Sequence, residues 1–273
     1  MGTPRTVRGR SGARRLEMPV PRATSPHKVT FDLHNPDRAV LREGSTLLAR
    51  RVLLSALAVV VSAVAGGALA SAASAATVPP EQVITVEVAT ARSVVGIVRA
   101  WQLMADGQYE QVMGPIRAYV GRNGVGRVHE GSGRTPAGVF TLTRAFGSAP
   151  NNGTRLPYLR TGPDDWWDED PASASYNRLV ISRVSPGGHS ENLYYAGAAY
   201  AHAVVINYNT NPVIKGAGSA MFLHVSYGAP TSGCVAVSAR SLNAFMRWLD
   251  PAQHPVISIG VGAAARAVLI PTS

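Results

Sequence analysis

The chain has 273 residues, 46% of them hydrophobic and 7% aromatic, and carries a formal net charge of +10. That length accommodates one large domain or two small ones, and the composition excludes wholesale disorder. The charge points at first to nucleic acid or an anionic surface. However, residues 1–76 hold 11 Lys/Arg and 4 Asp/Glu, leaving 15 and 12 for the remainder. Nucleic-acid binding thereby loses its main support, and no Cys/His cluster suggests a structural zinc.

Residues 1–51 are rich in Arg, Ser and Pro without sustained apolar periodicity, which predicts a disordered basic extension. Arg50-Arg51 then precede the apolar run Val52–Ala65, and Ala73-Ser74-Ala75 supplies small residues at the right distance beyond it. A positive segment, an apolar segment and an A-x-A site together predict an export signal over 52–76. A membrane anchor is the competing reading, since about 20 apolar residues suffice to span a bilayer. Either way the remaining domain, 77–273, is placed outside the membrane, which it touches only through that segment.

Val83–Val88 is rich in β-branched residues and reads as a strand. Val94–Met104 and Tyr109–Val120 read as two more, joined by the hairpin signal Asp106-Gly107. Gly121–Gly133 carries five glycines and reads as a loop, and a strand is expected to begin near Val139. Ala149–Ser175 is polar and Pro-rich, with Trp166-Trp167 inside an acidic cluster; it reads as a structureless lid, or as a flap that covers core. Leu179–Ser182, Ala203–Asn207, Ala220–Ser226, Cys234–Val237 and Val256–Ile259 follow as strands. Ala239–Asp250 is the clear helix, capped by Ser238, with Leu242, Phe245, Met246 and Leu249 on one stripe. Many short strands with one or two short helices predict a mainly β fold, a mixed sandwich or barrel.

Cys234 is the only cysteine and lies ten residues after His224, so the chain holds no partner for a disulfide. His224 ends one apolar run, Cys234 opens the next, and turn residues between them can bring the two strands together. A histidine beside a thiol supplies the base or the positive charge that a nucleophilic cysteine needs. A small buried cysteine and a core histidine would leave the same trace in the sequence.

Gly133-Arg134-Thr135-Pro136-Ala137-Gly138-Val139-Phe140, Gly216–His224 and Thr231-Ser232-Gly233-Cys234-Val235 decide between these readings. With Trp166–Pro171 and Tyr176-Asn177-Arg178, they make the chain from about Val83 to Ile259 resemble the YkuD-type L,D-transpeptidase catalytic domain, in a compact secreted branch. The resemblance implies the fold of that domain and an acyltransferase acting on peptidoglycan stem peptides. It places Cys234 as nucleophile and His224 as general base and acid. Backbone amides of Ser232, Gly233 and Cys234 become the expected oxyanion hole. Arg134 is nominated for the donor's carboxylate and Tyr227 for the pocket wall. Three departures bear on substrate choice and geometry: Ser232 stands where the family commonly has histidine, Ala236 where it often has arginine, and the His–Cys interval is short. No cofactor and no protein partner are implied, because a thiol, an imidazole and backbone dipoles suffice. An L,D-carboxypeptidase, or a non-catalytic wall-binding module, would share the motifs. His129, His189, His202, His254 and Ser219 have no chemistry assigned by their contexts.

Overall fold

A computed structural model describes residues 78–270. The basic extension 1–51, the export segment 52–76 and the expected domain start at residue 77 lie outside the described residues. No helix among those described is long and apolar enough to cross a membrane.

The fold is mainly β and centres on one curled, mixed ten-stranded sheet. From edge to edge its strands are Gly138–Thr141, Val256–Val261, Gln82–Val88, Val95–Leu103, Tyr109–Tyr119, Val235–Val237, Phe222–Val225, Ala203–Val205, Ala145–Gly147 and Tyr158–Arg160. The expected hairpin forms at Asp106-Gly107, where the Gln108 N–H donates to Asp106 Oδ1 and Gly107 takes φ +80°. Only glycine enters that backbone region without steric cost, and so the turn sits there. The helix spans Ala239–Trp248, with Ser238 Oγ accepting from the Ser241 N–H. It ends at Trp248 rather than Asp250, with Leu249 as its extended C-cap, and its Leu242, Phe245 and Met246 are fully buried. They pack with Val86, Val98, Leu223, Val235 and Ile257 into the larger of two cores.

The second core lies against Phe222 and Cys234 and contains Phe146, Trp167, Leu193, Tyr200 and Val205. It is closed by the stretch 149–175, which forms short strands and covers core instead of standing as a structureless lid. Tyr158–Arg160 extends the large sheet in parallel to Ala145–Gly147. Asp165–Asp168 forms the middle of a separate three-stranded sheet, between Arg178–Ile181 and Glu191–Asn192. Two forces hold this polar segment in place. The Trp167 ring meets Phe222 edge-on at 5.1 Å, and the buried Asp168 carboxylate accepts from the hydroxyls of Ser173, Ser175 and Ser190. A buried carboxylate is costly unless its lone pairs are filled, and these serines fill them.

Candidate active site

The site follows from the pairing of two strands. Phe222–Val225 and Val235–Val237 run parallel, with Leu223 opposite Val235 and His224 opposite Ala236. Side chains alternate between faces. Leu223, Val235 and Val237 therefore enter the larger core, while Phe222, His224, Cys234 and Ala236 share the other face. The methyl group of Ala236 opposite His224 leaves space over the imidazole. Both His224, 7% exposed, and Cys234, 8% exposed, line a cavity of about 940 Å³. A smaller apolar pocket of about 370 Å³, beside Phe146 and Tyr158, contains neither residue.

His224 Nδ1 lies 2.9 Å from the carbonyl of Val225. A carbonyl only accepts, so Nδ1 carries the proton and Nε2 keeps its lone pair. The Cys234 thiol donates to the Ala220 carbonyl at 3.3 Å and accepts from the Phe222 N–H at 3.4 Å. No direct hydrogen bond joins thiol and imidazole in this resting arrangement. Burial lowers the His224 pKa, partly offset by the Val225 carbonyl. Burial also raises the Cys234 pKa, as do Glu191 and Glu169; the Phe222 N–H and the Tyr200 hydroxyl act the other way. Both shifts favour the neutral thiol and the neutral imidazole over a thiolate and an imidazolium.

Tyr200 braces the pair. Its ring meets that of His224 edge-on at 5.4 Å, and its hydroxyl donates to Glu191 Oε2 at 2.7 Å. Ala220, whose carbonyl accepts the thiol's hydrogen bond, has φ +52°, a region alanine rarely adopts. Its N–H donates to the Asn177 Oδ1, which also accepts from Trp167 Nε1, while Asn177 Nδ2 donates to the carbonyls of Tyr208 and Asn209. The Trp-Trp and Tyr-Asn segments thus fix the backbone on which the sulfur rests.

Ser232, Gly233 and Tyr227 all line the cavity. The Gly233 N–H already donates to Thr231 Oγ1 at 3.1 Å, which commits one of the three nominated oxyanion amides at rest. Gly233 has a second role: a Cβ there would lie 2.9 Å from Met221 Sδ and 3.1 Å from the Arg134 carbonyl. The Tyr227 hydroxyl accepts from the Ala199 N–H and donates to the Ala196 carbonyl, tying two walls together. Arg134 is not among the lining residues; its guanidinium lies by Gly126. His202 bonds to the Pro150 carbonyl away from the cavity, whereas His129, His189 and Ser219 line it.

Residues 82–257 match the YkuD family, the L,D-transpeptidase catalytic domain. The chain belongs to the YkuD family. The match covers more than half its length, and the family is linked to peptidoglycan cross-linking. No curated protein matches the chain.

Sequence reading missed several residues of this YkuD site: Arg122, Tyr200, and the carboxylates Glu130, Glu169 and Glu191, all lining the cavity. No spacing links three glutamates so far apart in the chain. Burial, with Glu191, Glu130 and Asp168 nearby, raises the Glu169 pKa to about 8. The unfolded carboxyl titrates near ~4.3, so raising the pH from there through about 8 removes a proton that the folded state favours. This group's stabilising contribution is complete below pH ~4 and lost by the time pH passes about 8. Glu169→Gln is expected to raise Tm by roughly 3–6 °C at pH 8, after discounting for partial exposure, and by nothing near pH 4. Calorimetry across that range checks it; a gain independent of pH would contradict the assignment.

Proposed function

We propose that this YkuD domain is a cysteine acyltransferase that acts on peptidoglycan stem peptides outside the membrane, cutting an L,D bond and passing the acyl group to a second stem. What carries the reading is that the sulfur and an imidazole with a fixed Nδ1–H share one sheet face at the wall of one cavity. The sulfur attacks the donor carbonyl carbon while its proton passes to His224 Nε2. Collapse of the tetrahedral intermediate breaks the C–N bond, and Nε2 returns the proton to the departing amine. The released D-residue leaves a thioester on Cys234. An acceptor amine then attacks the thioester carbon and gives its proton to Nε2, and the sulfur departs and is reprotonated. Water in place of the amine yields a carboxypeptidase product. Backbone amides at Ser232–Cys234 are assigned the oxyanion, that of Gly233 only after it leaves Thr231 Oγ1, with close approach permitted by Gly233.

The test is a purified exported domain given a tetrapeptide stem, with and without an amine acceptor, and analysed by intact-protein and product mass spectrometry. Expected are a stem acyl group on Cys234 and, with acceptor, a cross-linked product. Hydrolysed product alone in both arms would make the protein a carboxypeptidase. No adduct and no product would leave a non-catalytic wall-binding module.

A further inference from the structure

We infer that Arg122 is the residue that recognises the free C-terminal carboxylate of the donor stem; this rests on the acyltransferase reading above. Among the described residues that line the catalytic cavity, Arg122 is the sole lysine or arginine, and the other ionisable groups besides Cys234 are glutamates, histidines and tyrosines. A substrate cut one residue from its C-terminus brings a carboxylate close to the sulfur. None of the three glutamates offers a positive charge to that carboxylate, whereas one guanidinium does.

The backbone around Arg122 is fastened to the nucleophile's loop at several points. The Arg122 N–H donates to the Thr231 carbonyl at 2.8 Å, and the Thr231 N–H donates to the Val120 carbonyl at 2.9 Å. Thr231 Oγ1 in turn donates to the Cys234 carbonyl at 2.6 Å, and Thr135 Oγ1 reaches the same carbonyl at 3.3 Å. The side chain is aimed as well. Its stem crosses Gly133, where a Cβ would lie 3.1 Å from Arg122 Cγ and 3.0 Å from Nε. Its Nη1 donates to Ser232 Oγ at 2.9 Å, two residues before Cys234.

The guanidinium is also unspent. Among the described residues the ion pairs are Arg99–Glu87, Arg155–Asp250 and Arg266–Glu87, and Arg122 has no carboxylate partner. A guanidinium offers five N–H donors in a planar fork that matches a carboxylate, and one of them is used here. In this chain Ala236 stands two residues after the cysteine and cannot supply a cation. Arg122 supplies it from a different segment.

The experiment compares acylation of wild type and Arg122→Gln by two tetrapeptide stems, one ending in a free carboxylate and the other in a carboxamide. Wild type is expected to favour the acid by roughly 10-fold or more in kcat/KM, the scale of an accessible charge-assisted contact, and less at high salt. Arg122→Gln is expected to lose that preference by slowing only on the acid, with the change mostly in KM; Arg122→Lys falls between. Equal loss on both substrates, an unchanged preference in the variant, or no preference in wild type each overturns the inference. Binding of the same two stems to Cys234→Ala, with and without Arg122→Gln, is read by calorimetry and needs no chemistry. If wild type never acylates but binding still distinguishes acid from amide through Arg122, the acyltransferase reading falls and the recognition stands. If binding does not distinguish them, the recognition falls too.

Discussion

Cys234→Ala is expected to abolish acyl-enzyme formation, and His224→Ala to slow it by about 10²–10⁴-fold, with the fold retained. The reason lies in the resting protonation states. Burial favours the neutral thiol and the neutral imidazole, so in the proposed mechanism Nε2 takes the sulfur's proton as the bond to carbon forms. The wild-type acylation rate should climb with pH through the His224 pKa, below its ordinary value of 6.5, because protonated imidazole is no base. Above that limb it should be level through neutrality, since the thiol resists ionising on its own. Without His224 only the rare thiolate reacts, so the variant's rate should increase about tenfold per pH unit into alkaline solution. Single-turnover mass spectrometry from pH 5 to 10 measures both profiles. A His224→Ala rate within threefold of wild type, with the same profile, would sink the role of the imidazole.

Asn177→Ala carries the second large effect, and here both stability and activity should suffer. Asn177 is 2% exposed, and its amide holds two N–H groups and two carbonyls. Truncation strands those groups in the interior and leaves alanine at φ +58°, where asparagine is better tolerated. A cost of about 3–4 kcal/mol is expected, read as a loss of roughly 10 °C in Tm. Acylation should fall by about tenfold at temperatures where the variant is folded, because the Ala220 carbonyl that anchors the thiol loses its tether. Denaturation and single-turnover assays test the two parts separately. A destabilised variant with unimpaired acylation would show that the tether matters to the fold alone.

Local chemistry by itself determined a good deal of this protein. Runs of β-branched residues, the Asp106-Gly107 turn and the stripe Leu242–Leu249 each act within a few residues, and each produced its expected element. Cys234 and His224 drew attention for the same reason, since a short loop separates them, His224 lying within Phe222–Val225 and Cys234 just before Val235–Val237. Tertiary structure decided the rest. That the two strands flanking this loop run parallel, in the register that sets His224 opposite Ala236, leaves no periodic trace, and it places sulfur and imidazole on a common face. The stretch 149–175 looked unstructured because its strands are only 3 and 4 residues long and pair with strands that lie outside it, at 145–147, 178–181 and 191–192. The ionisable environment of the thiol was equally invisible. Glu130, Glu169, Glu191 and Arg122 come from four separate segments, and a charge acquires its meaning from the distance and solvent around it. Residue order singles out one sulfur and one imidazole, whereas the folded cavity sets the burial and the charges around them.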